Sequence, residues 1–320
     1  MAPIRVFTRS PLAQSSLRKL KELFFLLFSL VTLLFFLLRV AGDPALVLAG
    51  PDATEAQLAA IKAHYGLDQP LVVQYVNYLW SLARLDFGIS LESGRPALTV
   101  VVEALPVTLQ LTVMAMLLTI AICLPLGAWL GIYQMRGSRR VANLIVFLAQ
   151  GVPGFVAGLF LIQLLSVKLG WLPSIGRGGL ETWVLPTLTL ASFLVPKLTR
   201  VISTKVSETL SKDYIRTALA YGSSPRAVLW RHALPNALLG AVALIGAQFA
   251  YLVSGSVIVE TMFAWPGLGW QLMQSTRTLD FPLVQTLAIF IAVLVFAVNT
   301  LTDMSFRFFD PRLRDTGTGT

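Results

Sequence analysis

The sequence is poor in charge, in cysteine and in histidine. Only 13% of its 320 residues are charged, against about a quarter in a typical soluble domain. With 56% hydrophobic residues and a mean hydropathy of +0.74, this shortfall predicts a surface that largely faces lipid. The single cysteine, Cys123, excludes an intrachain disulfide. Because His64 and His232 are the only histidines, a Cys/His metal site is excluded as well.

Motifs for catalysis and nucleotide binding are also missing. No Gly-x-x-x-x-Gly-Lys-Ser/Thr phosphate-binding loop occurs, so the chain is not expected to hydrolyse ATP or to bind a cofactor itself. The apolar segments contain no paired His/Asp/Glu or Ser/Lys constellation, which disfavours a membrane-embedded enzyme. We therefore predict no catalytic residue and no metal ligand in this chain.

What the sequence does contain is six apolar segments, and a helix that crosses a bilayer needs roughly 20 mostly apolar residues. The segments are 23–41, 105–133, 141–167, 183–196, 237–262 and 282–306. A cleaved signal peptide is an alternative interpretation of the first one, but Arg39 closes it and no small-x-small cleavage pattern follows. The pattern predicts an all-α, polytopic membrane protein with six transmembrane helices.

The basic residues predict an orientation in the membrane. A net charge of +9 would suggest a nucleic-acid partner in a soluble protein, but here the basic residues lie between apolar segments, so none is expected. Of the 25 basic residues, 18 lie on one side of the predicted membrane, which places both termini in the cytoplasm. The chain then divides into a cytoplasmic N-terminal segment 1–22, a first transmembrane helix 23–41, an external helical subdomain 42–104, a core transmembrane domain 105–306 with five helices, and a cytoplasmic tail 307–320.

The external subdomain is predicted to hold two helices. Asp52 and Thr54 can cap a first helix, which Gly66 can end. Pro70 then opens a second helix, whose apolar side is predicted to carry Val73, Val76, Leu79 and Trp80. A docking surface and simple packing between spans are both open interpretations of this segment.

The long cytoplasmic loop 197–236 predicts a helix, a break and a second helix. Gly222 can adopt the left-handed conformation that ends a helix. Ser223 or Ser224 is a good N-cap for the next one, with Pro225 at its first position. A rigid knob and an amphipathic interfacial hairpin both fit this pattern.

The segment from Asp213 to Asn236 resembles the cytoplasmic EAA loop of binding-protein-dependent ABC importer permeases. Gly222 is followed by His232-Ala233-Leu234-Pro235, where the family ends the loop on hydrophobic-x-Leu-Pro. Asp-Tyr-Ile-Arg-Thr-Ala at 213–218 is typical of the peptide and nickel branch. The departures are Arg216 for the glutamate, Thr217 for the first alanine, His232 for isoleucine, and Tyr221 where a lysine is common.

Four further segments resemble the same family in the same order. They are Arg-Val-Ala-Gly-Asp-Pro at 39–44, Gly-Leu-Asp-Gln-Pro-Leu at 66–71, Glu-Thr-Met-Phe-Ala-Trp-Pro-Gly-Leu-Gly at 260–269 and Asp-Pro-Arg at 310–312. The resemblance implies a type I ABC importer permease fold in the bacterial inner membrane. It also implies a second homologous permease subunit in a heterodimer, two cytoplasmic ATPase subunits that bind ATP and Mg, and an external solute-binding protein.

The resemblance implies import of di- or oligopeptides, with nickel or a metal–chelate complex as the alternative; an ion-coupled secondary transporter is the alternative from another class. The residues expected to couple transport to the ATPase are Asp213, Tyr214, Arg216, Ala218, Tyr221, Gly222, Ser223, Ser224, Pro225, Arg226, Leu234 and Pro235. Candidates for the translocation pathway or gate are Glu260, Gln150 and Gln248. For Glu260 an interfacial salt bridge, and for the glutamines interhelical hydrogen bonding, are the alternatives.

Overall fold

A computed structural model describes residues 11–50, 52–132, 137–176 and 178–309 of the chain. The described residues are helical almost throughout, and the one β-bridge among them, Ile89 to Pro96, is isolated. In chain order the helices are α1 Pro11–Ala41, α2 Pro44–Ala49, α3 Glu55–His64, α4 Leu71–Ala83, α5 Ala97–Ile132, α6 Gly137–Gln150, α7 Gly154–Leu161 with a π-helical continuation Ile162–Lys168, α8 Glu181–Ser192, α9 Val195–Leu210, α10 Asp213–Ala220, α11 Pro225–Val228 with a π-helical continuation Leu229–Ala233, α12 Leu234–Met262, α13 Leu268–Arg277 and α14 Phe281–Phe309.

Membrane-spanning helices of two kinds occur in the described part of the chain. Helices α1, α5, α12 and α14 each contain a continuous stretch long and apolar enough to span a bilayer. In the pairs α6–α7 and α8–α9, the two helices pass the same test only when they are taken together. These pairs are bent by 103° and 51°, respectively. The predicted all-α membrane fold is confirmed, and the six predicted spans are recovered when each bent pair is one span.

The bends and the helix ends differ from the sequence prediction for local reasons. Pro153 has no N–H to donate and disfavours a helical residue before it, so α6 ends before it and α7 begins after it. The fourth segment does not end at Pro196, because that proline lies in the first turn of α9, where its missing N–H costs nothing. Helix α5 starts at Ala97 rather than at Leu105 and contains Pro106 and Pro125.

The chain contains two compact units, of which the first comprises the described residues up to Val101 and 274–296. Within it α3 begins with a capping box, in which Thr54 and Gln57 bond each other's backbone. Gly66, at φ 64°, follows the C-cap of α3. The caps predicted from Thr54 and Gly66 are therefore confirmed.

The packed side of helix α4 carries two tyrosines. The Tyr75 and Tyr78 rings lie 5.1 and 5.7 Å from the ring of Phe35, which is fully buried, and burial raises the pKa of Tyr78. On the predicted apolar side, Val73, Val76 and Trp80 are exposed and Leu79 is half-buried, so a docking surface and packing between spans both stay open interpretations. Two aromatic rings thus decide the packed side of this helix.

The second unit comprises residues 102–273 and the described residues from Ala297 onward. Its core is formed by buried side chains of α5, α8, α9 and α12, among them Leu111, Leu190, Leu198, Ile202 and Leu252. Helix α5 approaches α9 closely at two glycines. A Cβ at Gly127 would lie 2.8 Å from Ile202, and one at Gly131 would lie 2.7 Å from the Ser203 carbonyl oxygen.

Candidate functional site

The first candidate site is the elbow, which we define as residues Asp213–Asn236. Helix α10 ends at Ala220 with Tyr221 as its C-cap, and Gly222 follows at φ 88°. The Ser223 N–H donates to the Ala218 carbonyl at 3.1 Å and the Gly222 N–H to the Leu219 carbonyl at 3.0 Å. This pair of bonds is a Schellman motif, which requires a left-handed residue after the helix. Gly222 therefore ends α10 as the sequence predicts.

The chain restarts as a helix within two residues. The Ser224 hydroxyl accepts a hydrogen bond from the Ala227 N–H at 3.2 Å, and Pro225 occupies the first turn. Ser224 rather than Ser223 is thus the N-cap. From Pro225 the chain runs through the π-helical turn into α12, which begins with Leu234 and Pro235. The elbow consequently consists of helix α10, a fixed turn at Gly222, and a second helix that continues into the long transmembrane helix α12.

The elbow has one buried and one exposed face. Its buried residues, which join the core of the second unit, are Ile215, Val228, Leu229, Ala233 and Leu234. Its outer face is aromatic and basic, with Tyr214, Arg216, Arg226 and Trp230 exposed and Tyr221 87% exposed. The Asp213–Arg216 pair is 3.6 Å apart on this face, and since both side chains are solvated it adds little stability. The buried residues attach the elbow to the core of the second unit, and its aromatic and basic side chains are exposed.

The two predicted pathway glutamines both contact basic side chains of α9. The Gln150 side-chain carbonyl accepts a hydrogen bond from the Arg200 guanidinium at 3.2 Å. The Gln248 carbonyl accepts one from the Lys197 ammonium at 3.1 Å. Gln150 ends α6 and Gln248 lies on α12, so α9 links two other helices through these bonds. Interhelical hydrogen bonding, one of the two predicted roles, is therefore present for both glutamines.

A cavity of about 470 Å³ lies where the two bent spans break. Its lining includes Gln150, Pro153 and Gly154 from the first break and Phe193 and Lys197 from the second. The Phe193 ring lies so close to Gly154 that a Cβ there would overlap it, and one at Gly255 of α12 would lie 3.2 Å from the ring. The sequence marked both breaks by proline, but Lys197 and Arg200 were counted only as topology charges. Their position directly after the apolar segment 183–196 was the sequence signal that could have identified them as site residues.

Glu260 lies elsewhere, in a buried turn at the end of α12. Its side chain is completely buried and accepts hydrogen bonds from the N–H groups of Gly269 at 2.7 Å and Trp270 at 3.2 Å. No Lys or Arg of the described chain pairs with it, so the interfacial salt bridge is not found. The carboxylate instead caps the N-terminus of α13, where a negative charge is favourable. A gate role for Glu260 stays a prediction.

The backbone after Glu260 is a second Schellman turn, which we call the Glu260 turn (Phe263–Gly269). Ala264 is left-handed at φ 47°, and the Trp265 N–H donates to the Glu260 carbonyl at 2.8 Å. The Thr108 hydroxyl of α5 accepts from the Leu268 N–H at 2.8 Å. A Cβ at Gly267 would come within 2.5 Å of the Glu260 carboxylate. Sequence reasoning missed Thr108, because nothing near it in the sequence indicates its partner.

Among the residues that the structure describes, no three His, Cys, Asp or Glu side chains converge as a metal site would require. The arrangement is that of a helical membrane protein with a rigid exposed elbow, a cavity between broken spans and a buried capping carboxylate. Residues 123–315 match the family model "Binding-protein-dependent transport system inner membrane component", and residues 16–112 match its N-terminal counterpart. The chain belongs to this family and is the permease component of an ABC importer.

Individual relatives agree with this assignment. The "Probable peptide ABC transporter permease protein y4tP" of Sinorhizobium fredii is 37% identical over 292 residues, covering 88% of this chain and 93% of that protein. The "Glutathione transport system permease protein GsiC" of Escherichia coli is 33% identical over 284 residues, covering 89% and 93%. The MetNI methionine ABC transporter, solved in inward-facing conformations, matches with a TM-score of 0.57 at 21% identity over 67% of this chain and 98% of that one. The last likeness shows the fold, that of a type I importer permease.

Membership of the family settles several of the expectations from sequence. The chain is a multi-pass inner-membrane protein, and as a permease component it has no catalytic activity itself. Like other ABC importer permeases, it functions together with ATPase subunits and a permease partner. An ion-coupled secondary transporter is excluded by the same match.

Proposed function

We propose that this permease imports di- or oligopeptides that an external solute-binding protein delivers. Two similar relatives are named for peptide and glutathione transport, and both kinds of substrate contain peptide bonds and free carboxylates. The proposed assembly contains a second, homologous permease subunit as a heterodimer partner and two cytoplasmic ATPase subunits, which hold the ATP and Mg.

The elbow supports an assignment as the element that couples this permease to an ATPase subunit. A coupling element must be stiff, because a ligand shifts a conformational equilibrium only through contacts that differ between the states. The elbow has a fixed helix end at Gly222 and a fixed helix start at Ser224. One of its faces is buried, and the other is exposed, aromatic and basic. That combination in a permease of this family is the observation that carries the proposal.

The proposed orientation places the elbow in the cytoplasm. The 18 basic residues on one side of the spans include Arg216, Arg226 and Arg231 of the elbow itself, and positive segments stay inside. Both termini share that side. Accessibility of a cysteine added at Tyr221 to a membrane-impermeant thiol reagent tests this: we expect labelling in inside-out vesicles and none in intact cells.

Uptake by a strain that lacks only this subunit tests the substrate. We expect the strain to lose ATP-dependent uptake of labelled trialanine and to regain it when the intact chain is supplied. Uptake of labelled nickel is measured in the same cells. Loss of nickel uptake while peptide uptake persists would overturn the peptide assignment in favour of the metal.

A further inference from the structure

Lys197 and Arg200 lie in the first two turns of α9, just after the bend of the α8–α9 pair and directly after the apolar segment 183–196, and both side chains are exposed in this chain. Ionisable side chains on helices of membrane proteins usually face a polar cavity or a pathway, and they often mark functional sites. The two cations therefore require an explanation beyond topology.

Both cations are held by neutral groups. Lys197 donates to Gln248 at 3.1 Å and Arg200 to Gln150 at 3.2 Å, and no carboxylate of the described chain lies within ion-pair distance of either. An amide carbonyl orients a cation without neutralising it. Lys has three N–H donors and Arg has five, so each side chain keeps donors for a further acceptor. The two cations are therefore held in position, remain charged, and keep N–H donors for another acceptor.

Lys197 lines a half-open cavity that has the size of a ligand site. Its volume of about 470 Å³ falls within the range of roughly 300–1,000 Å³ that ligand pockets have. Lys197 lines it together with Gln150, Ser192, Phe193 and Tyr251, and no acidic residue lines it. The lining therefore offers one positive charge, hydroxyl and amide groups, and two aromatic rings.

We propose that Lys197, supported by Arg200, binds the C-terminal carboxylate of a peptide on its way through the permease. The inference rests on the proposed function, since it names how that substrate is held. A carboxylate is common to all unmodified peptides, and the aromatic rings of Phe193 and Tyr251 accept side chains of many kinds. The site thus selects the peptide class and leaves the sequence of the peptide open.

Protection of a cysteine in the cavity tests the proposal without a binding protein. Cys123, the only cysteine of the chain, is replaced by alanine, and Val152, an exposed residue of the cavity lining, is replaced by cysteine. The complete permease–ATPase complex is purified, and the rate of N-ethylmaleimide labelling is followed as trialanine is added. We expect saturable protection, and a half-protecting concentration about tenfold higher for trialanine amide, because one charge-assisted hydrogen bond is lost.

The variants separate binding from folding. Lys197→Gln is expected to raise the half-protecting concentration of trialanine about tenfold and Arg200→Gln to raise it less, since Arg200 acts in support. Lys197→Arg, which keeps the charge, should retain protection. Lys205→Gln is the matched control, because Lys205 lies on the same helix, is exposed and pairs with Glu208 at 2.9 Å; it should change nothing.

Three outcomes overturn the proposal. They are no protection by trialanine, equal protection by the acid and its amide, and protection by phosphatidylglycerol with none by trialanine, which would assign the cations to lipid. The proposed function is measured separately, as ATP-driven trialanine uptake into proteoliposomes by the unsubstituted complex supplied with its binding protein. Uptake without protection refutes only the carboxylate site, whereas absence of uptake refutes the peptide function itself.

Discussion

The Gly222 turn of the elbow and the Glu260 turn lie at the two ends of the helical run Pro225–Met262, and both are Schellman turns with a left-handed residue. In the elbow that residue is Gly222, next to the exposed Tyr221. In the Glu260 turn it is Ala264, between the buried side chains of Phe263 and Trp265. An alanine is tolerated where burial on both sides fixes the backbone, whereas an exposed turn needs a residue that adopts the conformation at low cost.

The difference separates residues that stabilise the fold from residues that are available to contact a partner. The Glu260 turn buries a carboxylate that satisfies two backbone N–H groups, so its residues should matter mainly for folding. The elbow exposes most of its side chains, so they should matter mainly for a partner. Four substitutions, taken from the largest expected effect on stability to the smallest, test this division.

Glu260→Ala should be the most destabilising of them. It leaves the buried N–H of Gly269 and the half-buried N–H of Trp270 without an acceptor, at a cost of about 3 kcal/mol. The measurement is the apparent Tm of the purified complex. Glu208→Ala, at an exposed position on α9, is the control and should leave the Tm almost unchanged. Equal Tm values for the two variants would show that the carboxylate does not hold the turn.

Gly222→Ala should cost about 1 kcal/mol, since an L-residue is strained in the left-handed conformation. Gly137→Ala is the matched control, because an added Cβ meets no atom within 4 Å at either glycine and only Gly222 has a positive φ. We expect a lower Tm for the first variant and an equal or slightly higher one for the second, because alanine restricts the unfolded chain where the native backbone suits it. Identical behaviour would mean that the elbow relaxes without strain.

Ala264→Gly should act in the opposite sense and stabilise by about 0.5–1 kcal/mol, because glycine relieves the left-handed strain. The same substitution at Ala250, buried within α12, should instead lower the Tm, since glycine weakens a helix interior. Thermal unfolding of the two variants side by side checks the opposite signs. A loss at both positions would show that the Ala264 methyl group contributes more by packing than it costs in strain.

Tyr221→Ala should leave the Tm within about 0.5 kcal/mol of the parent, as substitutions at exposed positions do. If the elbow seats in an ATPase subunit, the same change should reduce ATP-dependent trialanine uptake about tenfold or more, as loss of an aromatic anchor does. Tyr65→Ala, another exposed tyrosine, should keep full uptake. Unchanged uptake in the Tyr221 variant would remove the outer face of the elbow from coupling.

Sequence reasoning succeeded where the determinants are local. The stop at Gly222, the restart at Pro225 and the caps at Thr54 and Gly66 all depend on residues within five positions of one another. The apolar segments were found because length and composition are also local properties. The choice between Ser223 and Ser224 needed the backbone geometry.

Sequence reasoning failed where the partners are distant. The Thr108 hydroxyl and the Leu268 N–H are 160 residues apart, and Asp280, which caps α14, also binds Ser90, 190 residues away. The prolines at 153 and 196 marked the broken spans, but the sequence did not indicate that the Phe193 ring of the second span packs against Gly154 of the first. The side of α4 that packs is set by Phe35, which belongs to another helix.

The uninterrupted helical course from Pro225 to Met262 has a mechanical consequence. At 1.5 Å per residue it is roughly 57 Å long, and if it is straight it acts as a lever arm. A tilt of about 5° imposed at one end then moves the other by about 5 Å, close to one helical pitch. A small angular movement would be amplified into a displacement large enough to open or close a passage for a peptide.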